Sequence, residues 1–176
     1  MAGGGTGDAA IMLAQHLADT GGPHEVVYLD MSRASTEIAK VRAEARSLTN
    51  IRFLTGSILD LNGLAPGPYD YIDCCGVLHH LEDPPAALAT LRGALDENGG
   101  MGLMVYAPLG RTGVYPVQAM LSALDRGEAP QQRVATARAL LEALPATNWL
   151  KRNPCIADHL QAGDAGLYDL VLHRRD

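Results

Sequence analysis

Apolar positions along the first hundred residues follow two rhythms. Near-continuous apolar or β-branched runs at Glu25–Leu29 (closed by Asp30), Ile51–Thr55, Tyr69–Cys75 and Met101–Tyr106 predict buried strands. Between them, apolar residues recur every three or four positions. Ile11, Leu13, Ala14 and Leu17 predict a helix over residues 9–18, ended by Thr20-Gly21-Gly22-Pro23. Ala34, Ile38, Val41, Ala45 and Leu48 mark the inward stripe of a second helix, capped by Ser32, with Arg33, Glu37, Lys40, Arg42 and Glu44 in solvent. Leu88, Leu91 and Leu95 mark a third, begun at Pro84 and stopped by Asn98-Gly99-Gly100. Leu64–Pro68 is a connection. Strands alternating with helices predict an α/β fold: a doubly wound, mostly parallel sheet with helices on both faces.

The last third reads differently. Pro116–Leu124 and Gln131–Leu144 have helical patterns, and beyond Thr147 the pattern fades. The expected organisation is a sheet domain over residues 1–107 and a helical or irregular appendage over 108–176, anchored by Trp149. No strand precedes the opening glycines, although a doubly wound sheet places its central strand there. The sheet is therefore expected to be incomplete, lacking its first strand and last hairpin. An edge left this way invites pairing with another chain, so a homo-oligomer is expected.

Composition narrows the function classes. The 176 residues are 47% hydrophobic and 19% charged, enough to bury a core. A net charge of −6 argues against general nucleic-acid binding. No apolar run approaches the roughly 20 residues of a membrane span. Cys74, Cys75 and Cys155 have no metal-ligand spacing and read as reduced thiols, so a cytoplasmic protein is expected.

The stretch Gly3-Gly4-Gly5-Thr6-Gly7 bears the chemistry. Glycines let the backbone turn sharply and approach a ligand, and the following helix N-terminus offers free N–H groups. The dinucleotide fingerprint fails because Asp8 stands where a small residue is required, and no Gly-Lys-Ser/Thr follows for a phosphate loop. Asp30, 23 residues after Gly7, ends a strand where a carboxylate can accept from both hydroxyls of a ribose. Either a ligand site or a plain glycine turn with a capping aspartate accounts for these residues. His79-His80 reads as a general base or as a loop and cap element; a metal pair is disfavoured because no other ligands converge. Glu82-Asp83 reads as a helix start, Cys74-Cys75 as packing, and Tyr106 as pocket lining or core. His16, His24, His159, His173 and Arg174-Arg175 have no role legible from spacing.

Taken in order, AGGGTG, YLDMS, FLTGSILDL, YDYIDCCGVLHHLEDP and LRGALDENGGMGLMVY resemble the class I S-adenosylmethionine-dependent methyltransferases, from Ala2 to about Tyr106. The resemblance implies a Rossmann-like fold with S-adenosylmethionine as cofactor and S-adenosylhomocysteine as product. It implies that Gly3, Gly4, Gly5 and Gly7 shape the loop around the methionine portion. Asp30 would hold the ribose and Met31 would pack on the adenine. Ser57 and Ile58 stand where the family often has Asp and a hydrophobe, so Ser57 departs from the pattern. Met1 likewise replaces an acidic residue often found two before the first glycine. Cys75 and Gly76 would line the sulfonium region, and His80 would be the catalytic base. The implied reaction is in-line methyl transfer to an unidentified small-molecule or other acceptor, without a metal. The alternatives are a truncated or non-catalytic methyltransferase-like module, and another Rossmann enzyme using a nucleoside cofactor.

Overall fold

The structure is a computed structural model and describes residues 1–172. The chain divides into two compact units, Met1–Val105 and Tyr106–Asp176.

The first unit alternates strands and helices. Strand β1 (Val26–Asp30) pairs parallel with β2 (Ile51–Thr55), and β3 (Tyr69–Cys75) pairs parallel with β4 (Leu95–Met104). Between β1 and β3 lie the first three residues. Met1 N–H donates to the Val27 carbonyl at 2.8 Å, and Leu29 N–H returns to the Met1 carbonyl at 3.0 Å. Ala2 N–H donates to the Asp73 carbonyl at 2.8 Å, and Gly3 N–H to the Leu29 carbonyl at 2.8 Å. The opening residues thus form a short parallel bridge between the two strand pairs.

Alternation along β1 sends side chains to opposite faces. Val26 and Tyr28 pack with Ala10 and Ala14 of α1 (Asp8–Thr20) and Ala39 of α2 (Arg33–Glu44). Leu29 faces the other way and packs with Leu61 of α3 (Leu61–Leu64) and with Ala87, Leu91 and Ala94 of α4 (Pro84–Ala94).

Three helix faces differ from the periodicity. In α2 the buried residues are Thr36, Ala39 and Ala43, while Ile38 and Val41 are 49% and 64% exposed. Small side chains face the sheet because they let the helix approach it closely. In α4 the buried residues are Ala87, Leu91 and Ala94, and Leu88 is largely exposed. Leu95 leaves the helix and starts β4, opposite Tyr69. Asn98-Gly99-Gly100 does not stop a helix but lies inside β4, in an irregular stretch where Tyr69 pairs with Leu95 and Tyr71 with Gly100. A Cβ on Gly99 would stand 2.9 Å from the Tyr69 carbonyl oxygen, so only glycine fits there. In α1, Leu13 and Leu17 are half-buried rather than core.

The second unit is helical: α5 (Val114–Leu124), α6 (Pro130–Ala143), α7 (Ala157–Gln161) and α8 (Gly163–Val171). Its core joins Val114, Val117, Leu121, Leu150, Leu167, Leu170 and Val171. The order beyond Thr147 therefore exceeds what the fading pattern predicts, since α8 supplies much of this core. Trp149 is 69% exposed and does not anchor the unit; the neighbouring Leu150 does, at 1%. Tyr106 belongs to this unit, not to a strand end, and the buried Arg111 guanidinium lies 3.9 Å over its ring. Arg111 also donates to the Leu170 carbonyl at 3.2 Å, satisfying an acceptor near the C-terminal end of α8. His159 pairs with Asp169 at 3.2 Å, a partner that spacing did not reveal. His173 and Arg174-Arg175 lie outside the described residues.

Candidate cofactor site

The chemistry-bearing residues of the first unit gather at the C-terminal ends of the parallel strands, where open α/β sheets bind ligands. The loop Gly3–Gly7 leaves the opening bridge and turns into α1. Gly3, Gly5 and Gly7 have φ of +81°, +52° and +91°, which L side chains rarely adopt. Their surroundings differ. A Cβ on Gly4 would collide with the Tyr28 ring at 2.1 Å, and one on Gly7 with Ala39 at 2.7 Å. A Cβ on Gly5 would meet nothing within 4 Å. Gly4 and Gly7 seat the loop on the protein, and Gly5 faces open space.

Asp30 ends β1 beside this opening. Its Oδ2 accepts from Gly5 N–H at 2.8 Å and its Oδ1 from Ser32 N–H at 2.7 Å. Each carboxylate oxygen has a further lone pair, so the group can accept two hydroxyl donors without breaking either bond. Met31, 67% exposed, follows directly. The residues present fit a nucleoside with an attached amino-acid tail: a carboxylate for the sugar, an apolar side chain beside it, and a glycine surface without a Cβ.

Two residues to which the sequence assigned no part in the site, Tyr28 and Arg42, hold the loop. Tyr28, fully buried, donates its hydroxyl to the Gly5 carbonyl at 2.5 Å. Burial pushes its phenol above the ordinary value, so it stays a donor. Arg42 is not merely solvated. It donates to the Thr6 carbonyl at 2.8 Å and pairs with Asp8 at 2.5 Å. That hydrogen bond holds the Asp8 carboxyl below its usual range. The strand position of Tyr28 and the Asp8-to-Arg42 charge complement were the only signals available in the sequence.

The other predicted residues lie just after β2 and at or after the end of β3. Ser57 accepts from Leu59 N–H at 3.1 Å and so caps the short turn after β2; Ile58 is buried beneath it. Cys75 and Gly76 end β3, with Gly76 N–H on the Met104 carbonyl at 3.0 Å. Cys74 is buried, with its thiol pushed up to about 11 by desolvation, whereas Cys75 is exposed. Val77 closes against Gly3, where an added Cβ would stand 2.4 Å from a Val77 methyl. The turn Leu78–His80 follows, with the rings of His79 and His80 edge-to-face at 4.1 Å. Asp83, not Glu82, caps α4, accepting from Ala86 N–H at 3.0 Å. A cavity of about 350 Å³ between Val26–Val27 and Tyr69–Asp73 includes none of Gly3–Gly7 or Asp30, so it is not this site.

Comparison with known proteins shows the fold and the family. The fold is that of the Rossmann-like methyltransferases: the PKMT2 structure from Rickettsia typhi in complex with AdoHcy matches with a TM-score of 0.75 at 20% identity, covering 99% of this chain and 34% of that one. The YcgJ protein from Bacillus subtilis matches with a TM-score of 0.55 at 22% identity, covering 69% of this chain and 58% of that one. An uncharacterised protein from a Synechococcus strain is 37% identical over 155 residues, 86% of this chain and 36% of its own length. The chain thus spans about a third of that relative and of the Rickettsia protein. Residues 2–101 match the methyltransferase domain family, and the chain belongs to that family.

Proposed function

We propose that the first unit binds S-adenosylmethionine and carries out in-line methyl transfer to an acceptor. The observation supporting this reading is the pairing of Gly5 with Asp30: an open, positive-φ glycine held 2.8 Å from a carboxylate with free lone pairs. When bound, the cofactor supplies the electrophilic methyl group and a neutral thioether leaving group. The chain supplies position. Asp30 orients the ribose, and the Gly3–Gly7 loop accommodates the amino-acid tail. Met31 covers an adenine face, Ser57 and Ile58 border it, and the backbone at Cys75 and Gly76 borders the sulfonium. Alignment of nucleophile and methyl carbon is where such a site contributes most. His80 takes the proton from an oxygen or nitrogen nucleophile. The second unit contributes to acceptor choice.

Titration calorimetry with S-adenosylhomocysteine tests this. The chain should bind, and Asp30→Ala should weaken binding by at least about tenfold, the effect of losing a charge-assisted hydrogen bond. His80→Ala should leave that affinity within about twofold, because a base acts on the acceptor rather than on the cofactor. Absence of binding at millimolar ligand would overturn the reading.

A second reading, a methyltransferase-like module without activity, is favoured by one observation: Ser57, which stands where the family often has an aspartate, uses its hydroxyl oxygen to accept from Leu59 N–H and cap the turn. Binding without turnover on any acceptor distinguishes it. A phosphate-bearing dinucleotide is disfavoured, because Asp8 sets a carboxylate at the helix N-terminus where the phosphates would approach.

A further inference from the structure

One peptide plane of the glycine loop is oriented from inside the protein. The loop lies directly on the Tyr28 ring, which is why a Cβ on Gly4 would collide with it. The phenol at the end of that ring donates to the Gly5 carbonyl, while the Gly5 N–H donates to Asp30. Alternation places Tyr28 and Asp30 on one face of β1. A single glycine is thus gripped at both its acceptor and its donor by side chains two residues apart.

The Gly5 carbonyl shares its peptide plane with Thr6 N–H. That peptide is trans, so the N–H points opposite to the carbonyl. With the carbonyl turned in to the buried phenol, the Thr6 N–H is turned out, at an exposed residue. Among the described residues no acceptor takes it, and the Thr6 carbonyl is held separately by Arg42 at 2.8 Å. The plane has little stiffness of its own, because Gly5 lacks a Cβ and sits at a φ of +52°. Without the phenol, the carbonyl is free to turn outward to water. The outward group would then be an acceptor, which repels a carboxylate.

We propose that Tyr28 is a positioning residue for the amino-acid end of the cofactor: its hydroxyl fixes the Gly5–Thr6 peptide with the N–H outward, as a donor for the carboxylate of the tail. Asp30 serves the sugar and Tyr28 the tail, although both act on Gly5. This role rests on the cofactor reading proposed above.

Two ligands separate the two ends in calorimetry. S-adenosylhomocysteine carries the amino-acid tail, and 5′-methylthioadenosine has only a methyl group in its place. Tyr28→Phe keeps the ring under Gly4 and removes the hydroxyl. It should weaken S-adenosylhomocysteine by at least about fivefold and leave methylthioadenosine within about twofold. Asp30→Ala should weaken both. Retained binding of methylthioadenosine also shows that the Tyr28→Phe chain is folded at the site. Unchanged affinity of that chain for S-adenosylhomocysteine would overturn the proposal. So would an equal loss for both ligands, which is what a merely structural role gives. A wild-type chain that binds S-adenosylhomocysteine but not methylthioadenosine at millimolar ligand would overturn it too, since sugar and tail would not be gripped separately. Binding of neither ligand by the wild-type chain is a distinct failure: the cofactor reading itself falls, and this role with it.

Discussion

The helices of the two units bury different kinds of side chain. In the first, the helix faces that touch the sheet carry mostly small residues, Ala10 and Ala14, Ala39 and Ala43, Ala87 and Ala94, with Ile11 and Leu91 as the large ones among them. In the second, helices pack on one another through Val117, Leu121, Leu167, Leu170 and Val171. The sheet already brings large residues such as Tyr28, Leu29 and Ile72, so its covering helices succeed by coming close. Helices without a sheet must fill the space themselves. Close approach also serves the site, because Ala39 is the surface against which Gly7 turns.

The units should therefore break in opposite ways. The largest effect is expected from truncation in the second: Leu170→Ala, at a fully buried position, should cost about 2–5 kcal/mol in denaturant unfolding. A cost under about 1 kcal/mol would mean that α8 is not central to that core. The next is enlargement in the first. Ala39→Leu should cost about 1–3 kcal/mol by overpacking. It should also reduce S-adenosylhomocysteine binding, since the new side chain displaces Gly7; unaltered affinity would show that the loop tolerates movement of its floor.

Smaller still is the pin between Asp8 and Arg42. The folded state holds the Asp8 carboxyl below its unfolded value. The pair's contribution is thus complete above the ordinary carboxylate range and is lost as pH falls through the lowered value. Arg42→Ala should flatten that acid limb of the stability profile, and added salt should do the same because both side chains are substantially exposed. The least effect on stability comes from thiol labelling. With iodoacetamide at about pH 8 Cys74 should stay unmodified, being buried with its thiol near 11. The exposed Cys155 should react before Cys75, whose thiol is raised by its hydrogen bond to Asp73. Rapid modification of Cys74 in the folded chain would show that β3 opens.

Much of the fold was legible from the chain alone. Strands β1, β2 and β3 fall where the apolar runs predict them, because a strand covered on both faces needs an unbroken apolar run. Ser32 caps α2 as read, its hydroxyl accepting from Ser35 N–H, and Pro84 opens α4, because both act on residues only a few positions away in the chain. The face of α2 was misread because Ile38 and Val41 outweigh Thr36, Ala39 and Ala43 in hydrophobicity, while packing distance decided for the smaller set. Helix α8 escaped notice because Gly163 and Gly166 weaken its local signal. Gly166 has a tertiary cause: a Cβ there would stand 2.0 Å from the His159 carbonyl oxygen of α7.

For the site the division is similar. Local chemistry alone determined that a glycine loop precedes a helix and that an aspartate ends the next strand. A positive φ and a strand terminus are written in a few adjacent residues. Only the tertiary structure decided that Gly5 and Asp30 meet, that Tyr28 holds the loop from below and that Arg42 holds it from the side. Those partners lie 23 to 36 residues away in the chain. Contacts at such separation are chosen by how the sheet and helices close around a common core, which no local pattern encodes.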